Sequence, residues 1–163
     1  MCCKIKIEII LVVIFLICAQ QCHAIEKDDR DLSMNNPNSF YTIGLVQNPR
    51  YKVTDEDKIF ARNNPSTAFA RWISSNPNYI VKVEDKVFAK KNPDSGFAEG
   101  LAQNTSYLVR DDDKEFIKSN PGTKFALNLV LNSNYIIEEP DREFARNNPG
   151  LKISEGIAKN PSY

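Results

Sequence analysis

Beyond residue 23 the chain has neither cysteine nor histidine: Cys2, Cys3, Cys18, Cys22 and the single His23 all lie at its start. This removes a disulfide framework, a thiol nucleophile, an imidazole general base and the usual zinc ligands from the rest of the protein. A serine triad has no base. No glycine-rich loop is built to cradle phosphate. Charge of one sign is not in excess, with 21 Lys and Arg against 21 Asp and Glu. Nothing in that balance points to nucleic acid or an anionic membrane. No metal or other cofactor is expected, and catalysis is restricted to what carboxylates alone could do.

Long apolar runs are equally scarce. The one present, Ile9 to Ala19, follows Lys4 and Lys6 and is too short to span a bilayer. Cys22-His23-Ala24 then offers small residues at the −3 and −1 positions of a cleavage site. Residues 1–24 therefore read as a secretory signal peptide, and the remainder as a secreted chain with no membrane attachment. Residues 25–35 are polar and charged without an apolar period, and are expected to form a flexible leader.

What the sequence does have is a repeat. Asn-Pro recurs at Asn36, Asn64, Asn92, Asn120 and Asn148, each 28 residues after the last. Tyr51, Tyr79, Tyr107, Tyr135 and Tyr163 keep the same register, as do Phe60, Phe88, Phe116 and Phe144. A second asparagine set, Asn48, Asn76, Asn104, Asn132 and Asn160, does so too. A fixed period of this size marks a repeat architecture. The copies run 36–63, 64–91, 92–119, 120–147 and, in part, 148–163, all within a repeat domain spanning 36–163.

Each copy reads as two short helices. Asn64 is expected to cap helix A and Pro65 to open it. Asn76 is expected to end it in the left-handed conformation. An extended connector, Tyr79-Ile80-Val81, leads to helix B from about Glu84 to Lys91. Acidic residues crowd the start of helix B and basic ones its end, as the helix dipole favours. The Asp-Lys and Asp-Arg pairs, such as Asp85-Lys86, predict a ladder of ion pairs between successive B helices. Phe69, Phe97, Phe125, Ile73, Leu101 and Leu129, with the connector tyrosines and the helix B phenylalanines, are the predicted core. The fold class is all-α: tandem two-helix repeats forming a short α-solenoid or a compact helical stack. The partial fifth copy is expected to act as a cap.

Caps, core and dipole account for the fixed positions. The acidic clusters, Asp111-Asp112-Asp113 above all, lack the alternating ligands, glycine and distal Glu of a calcium loop. The variable positions of helix A fall on one face, where a repeat protein can specialise. The candidates for partner contact there are Phe40, Ile43, Arg71, Trp72, Leu127 and Leu131. Trp72 is the only tryptophan, and Trp beside Arg is a pairing typical of binding hot spots. Asn104-Thr105-Ser106 is an N-glycosylation sequence, which makes Asn104 a candidate acceptor. The expected function is a secreted, non-catalytic binding module with a protein partner outside the producing cell, in the manner of a host-interaction effector or a gland secretion. The alternatives are a matrix protein assembling through its repeats and, third, a carboxylate enzyme.

Overall fold

The computed structural model describes residues 27–163. The expected signal sequence, residues 1–24, and its expected cleavage site lie outside the described residues. Among those described, every regular element is a helix and none is a strand. None of these helices is long and apolar enough to cross a membrane. The chain divides into two units, one ending at Asn36 and the other running from Pro37 to Tyr163.

In the first unit, residues 27–35 form a helix, α1. The segment expected as a flexible leader is thus helical. Its register explains why: at an offset of 28 it aligns with Asp55–Asn63, which is a helix B. Both Asn36 N–H and Asn36 Nδ2 donate to Leu32 O, at 3.0 and 3.1 Å. Asn64 does the same to Phe60 O, at 2.9 and 3.0 Å.

The second unit carries α2 (Phe40–Gln47), α3 (Asp55–Asn63), α4 (Ala68–Ser75), α5 (Val83–Lys91) and α6 (Gly96–Gln103). It continues with α7 (Asp111–Ser119), α8 (Lys124–Leu129), α9 (Glu139–Asn147) and α10 (Lys152–Lys159). The even-numbered helices are the A helices and the odd-numbered ones the B helices. Each A helix packs on the A helix of the next copy, and each of α3, α5, α7 and α9 packs on the A helix that follows it. This is a stack of helices in which sequence neighbours are neighbours in space. The packed pair is B followed by A. The segment 148–163 therefore supplies α10 as the second half of a complete pair with α9, not a fragment lacking its mate.

The Asn-Pro step sits between the two helices of a pair, and its role differs from the expected one. Asn64 and its equivalents end the B helix, taking back the orphan Phe60 carbonyl through both nitrogens. The A helix opens three residues later, on Ser39, Thr67, Ser95 or Thr123, whose hydroxyl accepts from the N–H three residues on. Leu151 at the same position of the last copy provides no such cap. The proline leaves its carbonyl for the next copy: Pro37 O, Pro65 O and Pro93 O accept from Phe69, Phe97 and Phe125 N–H at 2.8–2.9 Å. An A-helix first-turn donor is thereby satisfied across the repeat boundary.

The core is the expected one. Phe69, Phe97, Phe125, Ile73, Leu101 and Leu129 are fully buried, as are Tyr79 and Tyr107. The B-helix phenylalanines are half-buried and meet the A-helix ones edge to face: Phe60 on Phe69 at 5.1 Å, Phe88 on Phe97 at 5.4 Å, Phe116 on Phe125 at 5.7 Å. Burying such a ring contributes about 1.5–3 kcal/mol, and the edge contact about 0.5–1.5 more. Helices of two turns need this, being unstable alone.

Two polar ladders set the register. In the first, the asparagine that follows each of α4, α6, α8 and α10 reaches back one copy. Asn76 Nδ2 donates to Val46 O and Asn48 O at 2.7 and 3.1 Å, and Asn132 Nδ2 to Ala102 O and Asn104 O at 2.6 and 3.1 Å. Asn76, Asn104 and Asn160 have extended backbone, and no described residue has positive φ, so the left-handed ending is not used. They persist because their amides satisfy buried carbonyls. In the second ladder, Asp85, Asp113 and Asp141 are buried at the third position of their B helices. Each accepts from the N–H three residues earlier, at 2.9–3.1 Å. Each also meets a cation from the preceding B helix: Arg62 on Asp85 at 2.7 Å, Lys86 on Asp113 at 3.2 Å, Lys118 on Asp141 at 3.1 Å. The predicted ion-pair ladder is present, with its carboxylates inside the fold.

Candidate interaction surface

The A helices lie side by side with their buried stripes turned to the B helices. The variable positions therefore divide according to how near they come to a neighbouring A helix. Gly100 is buried at the crossing of α4 and α6: a Cβ there would fall 1.9 Å from Arg71 O. Ser74 Oγ spans the same crossing and donates to Phe97 O at 2.9 Å. Gly156 is tight against Val130. These variable positions serve packing and leave the partner-facing set smaller than the sequence alone implies.

What remains open is a groove of about 610 Å³ across the N-terminal halves of the A helices. Ile43 of α2 and Arg71 and Trp72 of α4 line it together with Glu99 of α6 and Lys124 of α8. The Arg71 guanidinium lies 4.9 Å from the Trp72 ring centroid and pairs with Glu99 at 2.7 Å. Lys124 reaches the other Glu99 oxygen at 4.0 Å. Arg71 and Glu99 occupy one register position in adjacent copies, which is a sequence signal for the pair. Trp72 is half-buried, between register neighbours Gly44 and Gly100. The indole is thus held from one side by a cation fixed in turn by a carboxylate, and its remaining surface faces the groove.

The other candidates do not converge on it. Phe40, the first residue of α2, is 94% exposed and lies outside the groove lining. Leu127 is half-buried. Leu131 is exposed beyond the end of α8, which stops at Leu129, and neither leucine lines the groove.

Asn104 corrects the expectation of a glycan acceptor. It is fully buried, and its Nδ2 donates to Ser74 O, Asn76 O and Tyr79 O at 2.8, 3.0 and 3.1 Å. A glycan on that nitrogen is incompatible with this packing. Asn104 belongs to the asparagine ladder, and the Ser106 of its sequence motif accordingly donates to Tyr79 O as well, at 3.1 Å.

One signal goes unused in the residue pattern. In the extended connectors Tyr79, Tyr107 and Tyr135 turn inward, and the following Ile80, Leu108 and Ile136 are exposed. The alternation of an extended chain puts these neighbours on opposite sides. Apolar residues that the core does not absorb at a fixed register mark a second surface on the connector side.

Among the described residues no group of three or more His, Cys, Asp or Glu side chains is placed to hold a metal ion. No protein-family model, curated protein or solved structure matches the chain.

Proposed function

We propose that the protein is a secreted, non-catalytic repeat protein that binds another macromolecule, a protein, outside the producing cell, through the groove on its A helices. The observation that carries this reading is the half-buried Trp72, braced by Arg71 and Glu99 in a groove that Ile43 also lines. A rigid aromatic with one free face is the kind of group that anchors a partner at small entropic cost. Secretion is supported by the order of charged, apolar and small residues in positions 1–24.

The test is Trp72→Ala, compared with the unchanged protein in recovery of a partner from extracellular material. An anchor role gives a loss of at least about 2 kcal/mol in binding, with the melting temperature nearly unchanged. A drop in melting temperature with no separate binding defect assigns Trp72 to packing and refutes the reading.

Assembly through the repeats is a second reading, supported by the exposed Ile80, Leu108 and Ile136, one in each of three copies. Sedimentation velocity separates the two: concentration-dependent growth favours assembly, and a single small species favours a binding module.

A further inference from the structure

The first residue of helix B is acidic in three of the four helices α3, α5, α7 and α9. Helices α3, α7 and α9 open with Asp55, Asp111 and Glu139, and α5 opens with Val83. Four residues on, α5 carries a second exposed valine, Val87, where α3 has the likewise exposed Ile59 and α7 and α9 have Glu115 and Glu143. Its N-cap Lys82 gives no side-chain cap, but neither do Arg110 of α7 and Glu138 of α9, and among these four B helices only α3 has one, from Thr54. What sets α5 apart is Val83 in place of a carboxylate that the helix dipole favours in the first turn. Val83 is 72% exposed, and a residue that departs from its register neighbours while largely in solvent is a candidate for a role outside the core.

What these residues do make is a groove of about 270 Å³, with Val83, Val87 and Leu108 on its apolar side. That is room for one large side chain. Its lining carries Lys82, Lys86, Lys90 and Arg110 against the single carboxylate of Asp112, on a chain whose formal net charge is zero. Lys90 neutralises Asp112 at 2.6 Å, and Lys86 is held by Asp113 at 3.2 Å. Among the described residues Lys82 meets only Glu84, at 3.9 Å, and Arg110 is in no ion pair, so both of these lining cations are available.

We infer that this groove between copies two and three docks an extended acidic peptide segment of a partner protein, with one apolar side chain seated on Val83, Val87 and Leu108 and its carboxylates on Lys82 and Arg110. The site is on the connector side and is distinct from the Trp72 groove, so it stands whether or not that groove binds anything. A concave apolar floor with cations at its rim suits a peptide better than a bilayer, which needs a protruding surface.

The probe is a fluorescein-labelled peptide with one leucine flanked on each side by two aspartates, titrated into the full chain and read by anisotropy. Its control is the same peptide with lysine for aspartate. The expected result is saturable binding of the acidic peptide only, weakened about tenfold or more by combined Lys82→Glu and Arg110→Glu, and likewise by Val87→Asp. All three positions are exposed, and circular dichroism confirms that the variants fold. Trp72→Ala is expected to leave this binding unchanged. The inference is overturned if neither peptide binds, if the basic peptide binds equally, if the variants have no effect, or if Trp72→Ala abolishes binding. Capture by phosphatidylserine vesicles that these same variants abolish, without peptide binding, also overturns it in favour of a membrane.

Discussion

Asn104 donates through Nδ2 to the backbone oxygen of Asn76, 3.0 Å away and one copy earlier, and accepts through Oδ1 from Ser106 N–H at 2.7 Å. Every polar atom of a fully buried side chain is thus committed, and two repeats are fastened at one point.

Replacing Asn104 by Ala leaves Ser74 O without a donor inside the fold and takes one of two donors from Asn76 O, which keeps Tyr79 N–H, and from Tyr79 O, which keeps the Ser106 hydroxyl. An unsatisfied buried group costs about 1–3 kcal/mol. Loss of about 2 kcal/mol or more is expected in urea unfolding, a large fraction of the stability of a small domain. Asn104→Asp should be worse, since a carboxylate would face the same oxygens. A loss under about 1 kcal/mol would show that the ladder is not structural.

Two glycines at the same register position should respond with opposite signs. Gly100→Ala drives a methyl into Arg71 O and should cost several kcal/mol or rearrange α4 against α6. Gly44→Ala meets nothing within 4 Å in the middle of α2. Removing a helical glycine there should stabilise by about 0.5–1 kcal/mol. Thermal unfolding of the pair checks both directions.

Acid should act through the aspartate ladder. Burial alone would raise the Asp141 pKa, but the Glu138 N–H and the charges of Lys118 and Lys114 outweigh it and hold the carboxyl below its usual value. A folded-state pKa lower than the unfolded one means stability fully present above about pH 4 and lost as pH falls through the folded value. Asp141→Asn should flatten that acid limb in a stability–pH profile, and an unchanged limb would count against the assignment.

Alkali should act through the tyrosines. Burial first, and then Asp85 or Asp113 beside the ring, pushes Tyr79 and Tyr107 far above the ordinary phenol range. The folded form favours the neutral phenol, so its contribution is full below about pH 10 and declines above it. Phenolate absorbance of these two should appear only together with loss of the helical signal. Reversible ionisation in the folded protein would refute their burial.

Truncating Phe97, which meets Phe88 and Tyr79 edge to face at 5.4 and 6.1 Å, should cost about 3–5 kcal/mol. Guanidinium titration reads this directly.

The residue pattern made the helical class and the core plain, because Phe97 and Leu101 share one stripe and their equivalents recur at a spacing of 28. It misplaced the helix starts for a physical reason. Asn-Pro suits an N-terminus by propensity, but Asn64 also has a donor that can close the preceding helix, and tertiary packing chose that use. A repeat also carries no phase of its own, so cutting at Asn-Pro split each packed pair. Asn104 read as surface because its motif is short-range, while its three acceptors lie 25 to 30 residues away. Of the site, Ile43, Arg71 and Trp72 were legible from variability on one face. The Val83 groove was not, although three acidic residues against one valine at a single register position announce it.

The asparagine ladder also constrains how such a chain can change length. Each amide spans a fixed backbone separation, so inserting or removing a single residue between Asn76 and Asn104 would detach one rung and shift every later copy out of step. Removing the whole stretch from Asn76 through Gln103 instead brings Ser75 directly onto Asn104, and the next amide finds equivalent carbonyls. Growth and shrinkage are therefore quantised: the molecule can gain or lose complete units at its interior while the joints on either side stay the same.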